Sequence, residues 1–388
     1  MTQRFEVRGI NVDPALTAAV IALLALGAIM VGSASISLAD RDMGAPLFFL
    51  GRHTGAVLLG CAVGLVTLSI PLRVWLRLNA LVLAGAMALL ASVAIPGVGH
   101  TVNGSTRWLD LGPVTLQPSE PARLLLILYI ASYVVRHQSD MSASLVGFLK
   151  PMMVVAIACA LLLAEPDFGA TVVLTAASLG MLFVGGARLR DFAVVLMLAG
   201  GALASLALSS SYRLARLTGF MDPWADPFAS GFQLTQSLIA IGRGEWLGVG
   251  IGDSVQKLFY LPEAHTDFVF AVLAEELGLV GATLVIGLFG IVVYKAITLG
   301  PRAAAAGLPF QGLVSTGIGL TLGLEAAINI GVNLGLLPTK GLTLPLISYG
   351  RTSAVVTMIA IALLMRAYHE VREAERRMPA AGPRSGER

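Results

Sequence analysis

The chain has 388 residues, 56% of them hydrophobic and only 13% charged, with a mean hydropathy of +0.82. A soluble globular protein carries about a quarter charged residues, so this composition excludes a string of soluble domains and points to one membrane domain. The formal net charge of +3 does not indicate nucleic acid, because the 26 Lys and Arg residues mostly flank apolar runs or gather in the C-terminal tail, where they set topology.

Apolar blocks of about 20 residues match the hydrocarbon thickness of a bilayer. They predict an all-α integral membrane protein of about ten transmembrane helices, near 15–37, 54–71, 78–95, 119–136, 149–164, 168–186, 191–210, 267–294, 308–335 and 351–368. The first run is too long for a signal-peptide core and is followed by further spans, so it reads as an uncleaved span. The fifth is short and ends at Glu165-Pro166-Asp167; the eighth and ninth are long enough to tilt or to extend past the lipid. Residues 1–14 and 369–388 are expected to be tails, the second a charged helix running into a disordered Pro/Gly/Arg end. Residues 140–149 are expected along the membrane surface. Cys61 and Cys159 lie inside apolar runs and read as buried thiols, with neither a disulfide nor a metal site expected.

With the N-terminus inside, the inner segments hold 16 basic residues and the longer outer segments hold 10. That bias predicts an N-in, C-in topology. Two outer connections then stand out, 97–118 and the long loop 211–266. Loops of the second kind are uncommon without a purpose. Its apolar stretches, 232–241 and 258–261, are expected to be re-entrant or interfacial and packed on protein.

Ionisable residues at membrane depth are costly and are candidates for function. Glu120 and Arg123 are spaced i, i+3 and share a helix face, as a structural pair or as ligands; Arg107-Trp108 precedes them. Glu263, His265 and Asp267 cluster where the long loop enters the eighth span, as helix caps or as a carboxylate base at an outward cavity. Glu275 and Glu276 lie about 12–13 Å further down the same helix and need partners or raised pKa values. Glu325, Asn329 and Asn333 share one face of the ninth span and suit interhelical hydrogen bonds. A Pro/Gly-rich turn, 337–350, holds Lys340, a candidate anion contact, and Ser348. No Walker A, paired CxxC or HExxH motif is present, and Gly248-x-Gly250-x-Gly252 follows no strand.

Five motifs in series carry a resemblance: Gly104-Ser105-Thr106-Arg107-Trp108-Leu109, Gln117-Pro118-Ser119-Glu120-Pro121-Ala122-Arg123, Glu165-Pro166-Asp167-Phe168-Gly169, His265-Thr266-Asp267-Phe268 and Pro345-Leu346-Ile347-Ser348-Tyr349-Gly350. In this order the chain resembles the SEDS family (shape, elongation, division and sporulation) over about 15–370. Residues 256–265 and 337–345 look more like its division branch than its elongation branch. The resemblance implies a peptidoglycan glycosyltransferase that polymerises lipid II during septal wall synthesis and releases undecaprenyl pyrophosphate. It implies Asp267 as the catalytic carboxylate and Arg107, Glu120, Arg123, Lys340 and Ser348 as contacts for substrate or pyrophosphate. Glu263, His265, Glu276 and Asp167 would support them. A divalent cation, Mg or Mn, has room in such chemistry. The implied partners are the class B transpeptidase FtsI and the division proteins FtsQ, FtsL and FtsB, at the septal inner membrane. A lipid II flippase or transporter and a non-catalytic division scaffold are the competing readings.

The chain departs from the family pattern in three places. Arg123 stands where the family usually has Lys, replacing a point charge with a fork. Arg351 follows Gly350 where glycine is common. Glu325 occupies a position expected to hold a neutral amide.

Overall fold

A helix begins where a short polar side chain can take up free amides and ends where the backbone can turn left-handed. In this computed structural model, which describes residues 5–7, 10–95, 97–102, 105–110, 112, 115–208, 219–229, 231–339 and 341–377, helix α1 (Pro14–Met43) shows both. Asp13 accepts from the Leu16 amide at 3.0 Å, and Gly44 closes the helix with φ 61°. α2 (Phe48–Ser69), α3 (Leu72–Arg77) and α4 (Asn79–Val93) follow. α5 (Ser119–Arg136), α6 (Gln138–Ala143), α7 (Leu145–Ala164), α8 (Phe168–Val184) and α9 (Leu189–Leu208) form the middle of the chain. α10 (Phe232–Gly244) precedes the long helices α11 (Val269–Ala305), α12 (Pro309–Asn333) and α13 (Arg351–Arg377).

Each predicted span falls on one of these helices. Six of them, α1, α2, α7, α11, α12 and α13, are long and apolar enough to cross a membrane, and α4 and α8 are apolar but shorter. α12 forms the hub, packed against α5, α8, α11 and α13. The fifth predicted span is longer than expected, because Ser144 caps α7 through the Gly147 amide at 3.1 Å and starts it at Leu145. That leaves α6 as the only part of 140–149 outside the span. The loop 97–118 is not irregular. Antiparallel strands β3 (Gly99–Val102), β4 (Ser105–Asp110) and β5 (Thr115–Leu116) make a small ribbon within an otherwise helical chain; a second hairpin pairs Phe5–Val7 with Ile10–Val12.

Two polar contacts pin α1 to α11. Lys295 Nζ lies 2.9 Å from Asp13 Oδ2 at one end, and the Ser33 hydroxyl donates to Glu276 Oε1 at 2.6 Å at the other. Twenty residues separate the pins on α1 and nineteen on α11, about 30 Å of helix, which is the thickness of a hydrocarbon core. The Asp13 end also gathers Gln311–Glu370, Arg302–Glu375 and Arg366–Glu370, tying α11, α12 and α13 together there. The opposite end holds the ribbon and Asp267.

α11 is not one straight rod. Gly278 has φ 64° and ψ −165° and breaks it two residues after the Glu276 pin. Glu275 and Glu276 therefore sit near the end of a separate half-helix, 269–277, that leads from Asp267, with Glu276 forming the Ser33 pin.

Candidate active site

Asp267 stands just before the half-helix, half-buried at the mouth of the bundle. Its segment is held by backbone contacts from two other elements. On α12, Asn329 Nδ2 donates to the Asp267 carbonyl at 2.9 Å and the Leu342 carbonyl at 2.6 Å; Asn333 Nδ2 donates to the Asp267 carbonyl at 3.1 Å. Asn333 Oδ1 also accepts from the Ala271 amide at 3.1 Å. From the turn after α12, Ser348 Oγ donates to the Thr266 carbonyl at 2.6 Å, and the Tyr349 amide donates to the His265 carbonyl at 2.9 Å. Three side chains and one backbone amide thus fix the backbone while leaving the Asp267 carboxylate without a hydrogen-bond donor among the described residues. Gly341 passes so close that a Cβ there would stand 3.0 Å from Asp267 Oδ2.

The Asp267 carboxyl is pushed up to about 7, first by burial and then by the negative charge of Glu263, with Arg107 pulling the other way. Glu263 itself is exposed and accepts from Thr266 Oγ1 at 2.6 Å. His265 is buried among Phe49 and Tyr349, and burial holds its imidazole below its usual pKa, so it packs as a neutral ring.

Arg107 lies on β4. It donates through Nε to the Glu165 carbonyl at 2.9 Å and through Nη2 to the Pro166 carbonyl at 2.6 Å. The ribbon is thereby tied to the α7–α8 turn. Asp167 caps α8, accepting from Ala170 N at 3.1 Å, and faces Ser119 Oγ at 3.3 Å. Beside it, the Glu165 carboxyl is buried with no hydrogen-bond partner among the described residues and is pushed up to about 8 by burial and by Asp167, against Arg107. A cavity of ≈ 360 Å³ under the ribbon is lined in part by Thr106, Gly97 and Glu165.

Deeper in, Arg123 lies between two carboxylates. It meets Glu120 at 2.8 Å on its own helix and Glu325 across on α12. All three line a cavity of ≈ 20 Å³, space for about one water, closed by Ile127, Leu322 and Val356. Arg123 and Glu120, which the resemblance implies as contacts for substrate or pyrophosphate, are here engaged with each other and, through Arg123, with Glu325. The guanidinium is already neutralised, and an anion would have to displace a carboxylate. This arrangement accounts for Glu325, whose charge is the second partner that a fork-shaped cation can hold.

The other candidates separate. Glu276 is paired with Lys257 at 2.8 Å, and Lys257 also donates to Ser33 Oγ at 2.8 Å. Glu275 accepts from Ser254 Oγ at 2.5 Å and from the Val255 amide at 3.1 Å. Both carboxylates are buried and committed to the long loop, so Glu276 does not support Asp267 directly. The Ser348 hydroxyl donates to the Thr266 carbonyl and accepts from the Leu344 amide, so in this structure it braces the segment before Asp267. Lys340 lies outside the described residues. Arg351 was not among the candidates from sequence. It opens α13 and donates to Thr115 Oγ1 at 2.6 Å, a half-buried cation beside the ribbon. Its signal was the departure from glycine at that position.

No group of three His, Cys, Asp or Glu side chains converges among the described residues. Between Glu120 and Glu325, Arg123 already fills the position a cation would take, and the described residues offer no ready-made ligand set for a resident Mg or Mn.

The FtsW/RodA/SpoVE family of cell cycle proteins matches residues 14–373. A relative from Thioalkalivibrio sulfidiphilus, named probable peptidoglycan glycosyltransferase FtsW, is 54% identical over 96% of this chain and 93% of its own. One of the same name from Coxiella burnetii is 50% identical over 90% of this chain and 94% of its own. Among solved structures, a chain of a peptidoglycan synthase complex that coordinates polymerization and crosslinking superposes with TM-score 0.77 at 28% identity, covering 93% of this chain and 98% of that one. The rod-shape-determining protein RodA of Thermus thermophilus gives TM-score 0.66 at 28% identity over 92% and 97%. With its apolar helices, its order of motifs and these matches along nearly its whole length, the chain is a multi-pass membrane protein that belongs to the FtsW/RodA/SpoVE cell cycle family.

Proposed function

We propose that this protein is a peptidoglycan glycosyltransferase that polymerises lipid II into glycan strands during septal wall synthesis, with Asp267 as general base. The observation that carries the catalytic assignment is Asp267 itself: a carboxylate near pKa 7, fixed through its backbone, open at the mouth of the bundle and facing Arg107. A base poised near the working pH is the most effective one. The acceptor sugar hydroxyl gives its proton to Asp267 as its oxygen bonds to the donor's anomeric carbon. The bond from that carbon to the undecaprenyl pyrophosphate oxygen breaks, and the lipid pyrophosphate leaves. Charge developing on that oxygen is met by Arg107 and Arg351 at the mouth, and Lys340 is proposed as a third cation there. Arg123, with Glu120 and Glu325, sets the relation of α5 to α12 beneath the site. The polyprenyl tail is assigned to apolar grooves between helices, such as the one between α11 and α12 lined by Phe289, Val293 and Ile330.

The topology that suits this chemistry has ten spans, both termini in the cytoplasm, and the Asp267 end outside the inner membrane. A class B transpeptidase such as FtsI, with FtsQ, FtsL and FtsB, is the proposed set of partners, and the septum the proposed location. The test is to purify the protein with its transpeptidase, add lipid II and resolve products on a gel. Polymer from wild type and none from Asp267→Ala is expected. Equal polymer from both would overturn the assignment. Lipid flipping in vesicles that survives Asp267→Ala, without polymer, would favour the transporter reading.

A further inference from the structure

The motif Gly248-x-Gly250-x-Gly252 takes no part in the site, yet all three glycines are left-handed, with φ of 82°, 112° and 94°. The loop that carries them lies across the break in α11. Val249 N donates to the Glu275 carbonyl at 2.9 Å, and Gly250 N to the Glu276 carbonyl at 3.1 Å. In return, Leu279 N donates to the Glu245 carbonyl at 2.9 Å and Val280 N to the Trp246 carbonyl at 3.2 Å. The four backbone groups freed by the break are thus satisfied by the loop, and four of the loop's groups by the break. The approach is so close that a Cβ on Gly248 would stand 2.1 Å from the Glu276 carbonyl, and one on Gly244 1.9 Å from that of Ala274.

Pairing of the groups at the break is what a low-water environment demands of non-helical backbone, since little water is there to satisfy it. The side chains agree. Trp246 is 71% exposed and Leu247 79%, and they continue an outward face formed by Leu279, Val280 and Leu284, all exposed on α11. That face is the lipid side of a membrane-spanning helix. Measured from the Asp13–Lys295 pin, Leu279 and Val280 stand about 23–24 Å up a core about 30 Å thick. That is near the membrane–water interface, where Trp is a preferred residue and the exposed Glu245 beside it can reach the headgroups.

We infer that loop 245–251 is a clasp embedded in the membrane leaflet nearest Asp267, with Trp246 and Leu247 immersed among the lipid chains and its backbone holding the two halves of α11 together. The occupant of this apolar face is lipid, because the face is continuous with the lipid-facing surface of α11 and lies near the membrane–water interface. The half-helix that leads to Asp267 is then referenced to the bilayer through the loop.

The test uses the full chain in phosphatidylcholine vesicles with Trp75, Trp108 and Trp224 replaced by Phe, leaving Trp246 as the reporter. Lipids brominated in the upper acyl chain are expected to quench its emission strongly, while aqueous iodide has little effect. Quenching by iodide and not by bromolipid would place the loop in water and overturn the inference. Quenching by neither would mean a protein covers it, which also overturns it. Should that variant not fold, Leu247→Cys in a Cys61→Ala, Cys159→Ala background gives a second reading. A membrane-impermeant maleimide is expected to label it only after detergent is added; rapid labelling in intact vesicles would overturn the inference.

Discussion

The Ser348 hydroxyl donates to the Thr266 carbonyl at 2.6 Å and accepts from the Leu344 amide at 2.8 Å. One side chain therefore joins the turn after α12 to the residue before Asp267. Ser348→Ala leaves a carbonyl and an amide unpaired in a buried place, at a cost of about 1–3 kcal/mol. The expected result is a polymerisation rate lower by roughly ten-fold or more with KM little changed, as for a group that orients a catalytic residue. A large rise in KM with kcat intact would instead make Ser348 a substrate contact.

The pH profile of polymerisation follows from the Asp267 environment. Its carboxyl is raised to about 7, so the base form is lost below that pH and the rate should climb through about pH 7 to a plateau. Glu263→Gln removes one of the charges that raise it, so the climb should move to lower pH. Arg107→Gln removes the charge that lowers it and should move the climb to higher pH, besides reducing the rate. Stability runs the opposite way. A carboxyl whose folded pKa is raised favours folding only while protonated, so its contribution falls as pH rises from about 4 to 7. Asp267→Asn should abolish polymer yet raise Tm above pH 7, a pair of outcomes that simple misfolding cannot give.

How much of this was legible in the sequence varies by residue. The helices were, because apolar length and caps such as Asp13 are local properties. Asp267 was legible as a candidate, because a carboxylate at a helix mouth stands out beside apolar neighbours, but the residues alone left cap and base open and the resemblance chose between them. The roles of Glu276 and Ser348 were not. Their partners, Lys257 and Thr266, lie 19 and 82 residues away, and only packing brings them together. The break at Gly278 was hidden for the same reason: a single glycine in an apolar run reads as helix until the loop at 245–250 is laid against it. Glu325 had no explanation alone and has one beside Arg123.

The Glu120–Arg123–Glu325 triad gives a stability prediction. Arg123→Ala leaves two buried carboxylates facing each other and should cost about 3–5 kcal/mol, seen as poor yield or a much lower Tm. Arg123→Lys keeps the charge but not the fork, so it should hold one carboxylate well and lose less. Adding Glu325→Gln to Arg123→Lys should recover most of that loss, because a neutral amide no longer needs the second arm. No recovery in the double variant would mean that Glu325 is not held by Arg123.

Gly248 offers the sharpest packing test. Its φ of 82° is left-handed and a Cβ would collide with the Glu276 carbonyl at 2.1 Å. Neither problem can be relieved by rotating a side chain, since both partners are backbone. Gly248→Ala should therefore push the loop off α11, breaking the paired amides at 249–250 and 279–280 and loosening the half-helix that leads to Asp267. The strain alone is about 1–3 kcal/mol, and lost hydrogen bonds add to it. The expected signature is faster amide exchange at 275–280 together with weaker polymerisation. Gly252→Ala is the control: it shares the left-handed φ of 94° but has open space around its Cβ position, so it should cost stability without opening the break. Equal exchange at 275–280 in the two variants would show that backbone strain, and not the contact with Glu276, sets the fit of the loop.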